Sequence, residues 1–149
     1  MLKDIEYFIK NKFFTEKYLL NKRLKRSIKN NYELELNFLD QFKDKNKDAI
    51  DIGVYRGVYS YKLSKLFNHI YAFEPNPLIY PYLKKNLTQI IENITLSNFA
   101  LSNGYGNVSL RIPNRSSSLF KNNIEELFQL GCATIHEDNN FINYKSFKV

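Results

Sequence analysis

The 149-residue sequence predicts an α/β fold: a Rossmann-like doubly wound sheet, represented by its first βαβαβ half plus a hairpin and preceded by helices. Three observations predict it. Short apolar runs at 48–52, 70–73 and 94–99 alternate with helical patterns. The first run leads into Asp51-Ile52-Gly53-Val54-Tyr55-Arg56-Gly57, a glycine turn of the kind that joins a strand to a helix. The second run ends in an acid, Glu74, seventeen residues after Gly57. Dinucleotide-type units place a ribose-binding carboxylate at a similar offset, about twenty residues on.

The elements follow in order. Leu2, Ile5, Phe8, Ile9 and Phe13 recur at helical spacing, and Tyr18, Leu19 and Leu20 extend the apolar content. Residues 2 to about 21 therefore read as one or two amphipathic helices. Leu34, Leu36, Phe38, Leu39 and Phe42 predict a further helix before the lysine-rich break at 43–47. Residues 1–47 form an N-terminal helical segment, and 48–149 a partial Rossmann-like domain. Asp48 to Ile52 is the first strand, continuous and apolar apart from its acids, as strands buried on both faces are. A helix over Tyr59 to Phe67 and a strand over Ile70 to Phe73 come next. Pro77 starts the following helix, whose core stripe is Leu78, Ile79, Tyr82, Leu83, Leu87, Ile90 and Ile91. Ile94 to Phe99 is the third strand. Asn103-Gly104-Tyr105-Gly106 is a turn, and Val108, Leu110 and Ile112 alternate with Ser109 and Arg111, predicting a half-exposed strand in a hairpin added to the unit. Residues 113–118 read as a polar loop, 124–130 as a short helix and 144–149 as the start of another strand.

Composition bounds the function. With 44% hydrophobic and 15% aromatic residues the chain is globular, and no apolar run reaches the length of a membrane span. The start of the chain lacks the apolar core of a secretory signal. One cysteine, Cys132, excludes an internal disulfide framework and suits a reducing compartment, so a cytoplasmic location is expected. Net charge is +7, and the segment Lys10–Lys29 carries eight basic residues against Glu16 alone. Such a stretch could meet nucleic acid, acidic lipid or an anionic saccharide, or simply be the solvated face of a helix. No nucleic-acid-binding motif accompanies it, so a nucleic-acid partner is not expected. Cys132 and His136 make a poor ligand set, and no metal site is expected.

The turn decides the ligand class. A dinucleotide site wants G-x-G-x-x-G, so that backbone amides approach a pyrophosphate. Here the pattern is D-x-G-x-x-x-G. A carboxylate at that strand end repels a pyrophosphate and attracts an ammonium, which favours S-adenosylmethionine over NAD as the cofactor. Asp51 would hold the methionine ammonium, directly or through water, or else act as a turn or helix-capping carboxylate. Gly53 and Gly57 would let the turn pass close under the ligand, or allow tight strand-to-helix packing. Glu74 would accept hydrogen bonds from both ribose hydroxyls, or complement the dipole of the next helix. Asn76 would assist the ribose or cap that helix.

These residues resemble a known family. Ala49-Ile50-Asp51-Ile52-Gly53 through Gly57-Val58-Tyr59-Ser60, then Ala72-Phe73-Glu74-Pro75-Asn76-Pro77, then Asn98-Phe99-Ala100-Leu101-Ser102 with Gly106 and Ser116-Ser117-Ser118-Leu119, are similar to the FkbM family of class I S-adenosylmethionine-dependent methyltransferases. The resemblance runs from about residue 33 to Val149. It implies a fold of the class I methyltransferase type and O-methylation of a saccharide or small-metabolite hydroxyl. It also implies that Asn98 to Ala100 receive the adenine and that Ser116 to Ser118 border the site, although Asn98 read alone is equally a strand-end amide. The sequence departs from the family at Val54-Tyr55-Arg56, where a small residue and asparagine are usual. A K-x-D-x-E-G segment near the transfer site is also lacking, so no catalytic residue is assigned. The chain is expected to be a truncated product or part of a longer sequence, weakly active or inactive alone. Its open sheet edge is expected to favour self-association. The alternative is a non-catalytic Rossmann-like binding module that pairs with another chain.

Overall fold

The computed structural model of the protein describes residues 14–30, 33–102, 104–113 and 144–149. Helix α1 spans Glu16–Lys29. Thr15 caps it, its hydroxyl accepting from the Tyr18 N–H at 3.2 Å, and Arg26 and Lys29 in the last turn complement the helix dipole. The helix was expected to end near residue 21, yet it continues to Lys29. Leu24 and Ile28 extend the Leu20 ridge at i+4 and i+8 into the core, on the side opposite the lysines. Residues 2–13, the rest of that expected helix, lie outside the described residues. The Leu34–Phe42 segment is a 3₁₀ helix rather than an α-helix, with Leu36 buried, Leu39 packed on the core and Leu34, Phe38 and Phe42 exposed. An ion pair from Asp40 to Lys62 at 2.7 Å ties it to the next helix.

Strands β1 (Ala49–Ile52), β2 (Ile70–Phe73) and β3 (Ile94–Ser97) form a parallel sheet in the order β1-β2-β3. Helix α2 (Val58–Leu66) joins the first two strands and α3 (Tyr80–Asn86) the second and third. The α/β architecture with a three-stranded parallel sheet is thus as the sequence predicts. The turn after Pro77 is not yet helical: Asn76 braces it, its side-chain oxygen accepting from the Leu78 N–H and its carbonyl from Ile79 and Tyr80, so α3 begins at Tyr80. Of its expected stripe, Ile79, Tyr82, Leu83, Leu87 and Ile91 are buried.

In register, Ala49, Ile70 and Ile94 share one sheet face with Asp51, Ala72 and Leu96. That face packs on α2 and α3, and α1 covers both helices. Leu20, Leu24 and Leu36 therefore belong to the same apolar cluster as Ile70, Leu83 and Leu87. The opposite face carries Ile50, Ile52, Tyr71 and Phe73. Here β1 departs from the expectation of a strand buried on both sides. Ile50 is 62% and Ile52 68% exposed, because both crossovers progress in one direction and leave their helices on a single face.

Strand β4 (Ser109–Pro113) pairs antiparallel with β5 (Tyr144–Lys148), from Ser109 opposite Lys148 to Pro113 opposite Tyr144. The expected hairpin is therefore corrected. The partner of Val108 to Ile112 is not a neighbouring segment, and the two strands form a sheet separate from β1-β2-β3. Leu110 and Ile112 are buried. The loop expected at 113–118 beyond Pro113, the helix at 124–130, Ser116 to Ser118, Cys132 and His136 lie outside the described residues. Among the described residues no helix is long and apolar enough to cross a membrane.

Candidate functional site

Parallel strands present their last backbone groups and the following loops at one end of the sheet, and ligands of open α/β sheets collect there. At this end the structure brings together Asp51, the 53–57 turn, Glu74 to Asn76 and Asn98 to Ala100. All seven residues proposed from sequence as cofactor contacts lie at the carboxyl end of the three strands.

Asp51 lies within β1 and is 9% exposed. Its Oδ2 accepts a 2.5 Å hydrogen bond from the buried Ser60 hydroxyl in the first turn of α2. Burial holds the Asp51 carboxyl above its ordinary 3.8, and hydrogen bonds from the Ser60 side chain and backbone oppose that shift. Glu74, 5% exposed, follows β2. Its Oε2 accepts from the Tyr55 N–H at 2.7 Å and its Oε1 from the Asn76 N–H at 2.9 Å. One carboxylate thus clamps the β1–α2 turn to the loop after β2. Burial raises the Glu74 pKa above 4.5. The two N–H donors lower it, and the negative charge of Asp51 raises it again. Neither carboxylate has a cation among these influences. The Tyr59 phenol nearby is also held up, first by burial, then by its hydrogen bond to Glu33 and the charges of Glu33, Glu35 and Asp51. Negative potential therefore concentrates at the end of β1.

The turn itself carries three positive φ angles: Gly53 at 83°, Tyr55 at 50° and Gly57 at 77°. Tyr55 is the only non-glycine residue in this conformation among those described. Its amide is aimed at Glu74, and its ring packs on the core and under the Arg56 guanidinium, 5.1 Å from the centroid. Gly53 and Val54 both donate to the Phe73 carbonyl, at 2.8 and 3.3 Å, so the turn hangs from the end of β2.

The two glycines differ. A Cβ on Gly53 would meet nothing within 4 Å, so the space above the turn is open. A Cβ on Gly57 would stand 2.9 Å from both Leu87 methyls, so Gly57 serves close packing of the α2 start against the core. Gly57→Ala is expected to cost about 2–4 kcal/mol, backbone strain plus overpacking. Gly53→Ala should cost only the strain, about 1–2 kcal/mol. Thermal unfolding of the two variants checks this, and equal losses would mean that the Leu87 contact contributes nothing.

Asn76 is buried, and its bonds to Leu78, Ile79 and Tyr80 brace the turn into α3 while its own N–H supports Glu74. Asn98 lies exposed just past β3, which ends at Ser97 rather than at the expected Phe99, and Ala100 is half-buried. Ser60, the Tyr55 amide and the Phe73 ring were given no role from sequence. Ser60 could have been found as a hydroxyl in the first turn of the helix facing Asp51. The Tyr55 amide carries no side-chain signal. Phe73 and Phe99 meet with ring centroids 5.2 Å apart, and Phe99 leaves half its surface exposed at the adenine end proposed for the site. Among the described residues no group of His, Cys, Asp and Glu is arranged to hold a metal. In comparisons with known proteins, no family model, no curated protein and no solved structure matches this chain.

Proposed function

We propose that this chain carries the cofactor-binding part of an S-adenosylmethionine-dependent methyltransferase of the FkbM type, with a saccharide or small-metabolite hydroxyl as acceptor. The observation that carries the reading is the pair of buried carboxylates, Asp51 and Glu74, at the ends of adjacent parallel strands, with no cation among the described residues acting on either. Such a pair repels the pyrophosphate of a dinucleotide and favours a ligand with a positive charge and hydroxyl donors. The donor chemistry fits the cofactor. Asp51 would take the ammonium on its remaining lone pairs, and Glu74, already oriented by Tyr55 and Asn76, would take the ribose hydroxyls. The open space over Gly53 would admit the methionine portion, and Asn98, Ala100 and the Phe99 ring would border the adenine. The class I methyltransferase fold, with β1 central and further strands beyond it, belongs to this proposal.

When bound, the cofactor supplies a methyl group on an already activated sulfonium. The residues of this chain then need to fix the donor and keep water from it, since alignment and exclusion of solvent carry the rest of the rate. A second reading has its own support. The exposed face with Ile50, Ile52 and Tyr71 and the β1 edge, unpaired among the described residues, favour a non-catalytic module that pairs with another chain or with itself.

Titration calorimetry of the purified chain with S-adenosylmethionine, with NAD as comparator and sedimentation velocity in parallel, tests both. Saturable S-adenosylmethionine binding without NAD binding is the expected result. Self-association with no cofactor bound by the folded chain would establish the second reading. Tight NAD binding alone would overturn the cofactor assignment.

A further inference from the structure

Among the described residues, a dense basic surface lies on α1, away from the strand ends. Around α1, Leu20, Leu24 and the half-buried Ile28 face the core. At 100° per residue the far side is a ridge of Tyr18, Lys22, Lys25 and Lys29, flanked by Arg26, and Lys17 in the first turn is exposed as well. The single acid of the helix, Glu16, is engaged by Lys85 at 2.9 Å and by the Asn86 amide, so no carboxylate of α1 itself offsets the ridge. Lys85 is spent on Glu16, and Lys84 beside it at the end of α3 adds to the positive field. Among the described residues none of Lys17, Lys22, Lys25, Arg26 and Lys29 is in an ion pair. Exposed aromatic surface adjoins this charge. The Phe14 and Tyr18 rings stack at 4.8 Å and 16°, and each is almost half exposed.

We propose that this N-terminal region docks on an anionic lipid surface, with the α1 lysines on the headgroups and the Phe14–Tyr18 pair entering the acyl boundary. The chemistry favours lipid over nucleic acid. The surface is a convex helix ridge, whereas single strands are held in a basic groove. Its cations are mainly lysines, which act as point charges rather than planar forks for base or phosphate recognition. Apolar residues next to a basic ridge are what an interfacial segment needs, because binding there sums buried apolar area and attraction to anionic headgroups. The proposal is independent of the cofactor reading.

The test is co-sedimentation of the full chain with vesicles of phosphatidylcholine alone and with phosphatidylserine added. Binding is expected only to the anionic vesicles and should weaken as salt is raised. Neutralising Lys22, Lys25 and Lys29 together (Lys22→Gln, Lys25→Gln, Lys29→Gln) should weaken it about a hundredfold, at roughly fivefold per basic residue. Phe14→Ser with Tyr18→Ser should weaken it several-fold, with the circular dichroism and melting temperature of both variants unchanged. Equal binding to both vesicles, or none, overturns the proposal. So does tighter binding to a DNA oligonucleotide than to anionic vesicles at the same salt. An unchanged Phe14/Tyr18 variant also overturns it, since any polyanion would then suffice.

Discussion

Glu74→Ala is expected to abolish measurable S-adenosylmethionine binding and to lower the stability of the fold by about 2–3 kcal/mol. Both effects come from one carboxylate. Its two oxygens accept the Tyr55 and Asn76 N–H groups at 2.7 and 2.9 Å in a site that is 5% exposed. Alanine removes the carboxylate acceptor from both N–H groups, and the loss of each such bond costs about 1–3 kcal/mol. Relief of the repulsion from Asp51 and of the carboxylate's own burial offsets part of that loss. For a chain of this length the net corresponds to roughly 5–10 °C in melting temperature. Stability alone could then account for lost binding, so Glu74→Gln is the discriminating variant. The amide keeps one acceptor for the clamp and removes the charge, so its loss of stability should be near 1 kcal/mol. Binding should still weaken at least tenfold, about 1.4 kcal/mol. Calorimetric titration beside thermal melts reads both quantities. A Gln variant that binds S-adenosylmethionine as the parent does would leave Glu74 a structural clamp and nothing more.

The parts of the fold legible in the sequence were those with local signals. The β1–α2–β2 unit followed from two glycines, short apolar runs and an acid at a fixed offset, and the carboxylates came together because parallel strands end on one side. The core stripe of α3 followed from its period. What escaped depends on contacts between distant residues. Four-residue strands such as Ala49–Ile52 do not reveal which of their faces will be covered, so the exposure of Ile50 and Ile52 was invisible. The pairing of Ser109–Pro113 with Tyr144–Lys148 joins segments about thirty residues apart, with no local turn signal in the sequence to announce it. Leu24 and Ile28, isolated among lysines and arginines, do not announce a helix that needs them against the core. In the site, Gly57 could be chosen by ligand or by packing, and only the position of Leu87, thirty residues later, shows a close contact. Tyr55 gave no warning of its left-handed backbone, because few tyrosines adopt one.

The buried carboxylates also give the cofactor-free protein an unusual response to pH. Burial raises Asp51 above its ordinary 3.8 and Glu74 above 4.5, so each holds its proton to higher pH in the folded chain than in the unfolded one. Across that interval the folded state binds more protons. The stability contributed by each group is fully present below the ordinary value and is lost as pH rises through the raised one. Lowering the pH from neutrality towards 4.5 should therefore stabilise the free protein through these two groups. Glu16 and Asp44 act in the other direction. The hydrogen bond from Lys85 lowers Glu16, and the Asn46 N–H lowers Asp44. Their contributions fade only as pH falls through values below 4.5 and 3.8, and both groups are too solvated for a large effect. Cofactor binding has the opposite dependence, since an ammonium and a ribose need the ionised pair. Affinity for S-adenosylmethionine should fall over the same interval in which the free protein gains stability, and the melting-temperature increase given by the cofactor should shrink with it. The Asp51→Asn, Glu74→Gln double variant should lose both dependences. Melts with and without cofactor at a series of pH values measure them together. An affinity that stays flat while the free protein stabilises would mean that these carboxylates titrate without touching the ligand, and would remove the basis for assigning them to it.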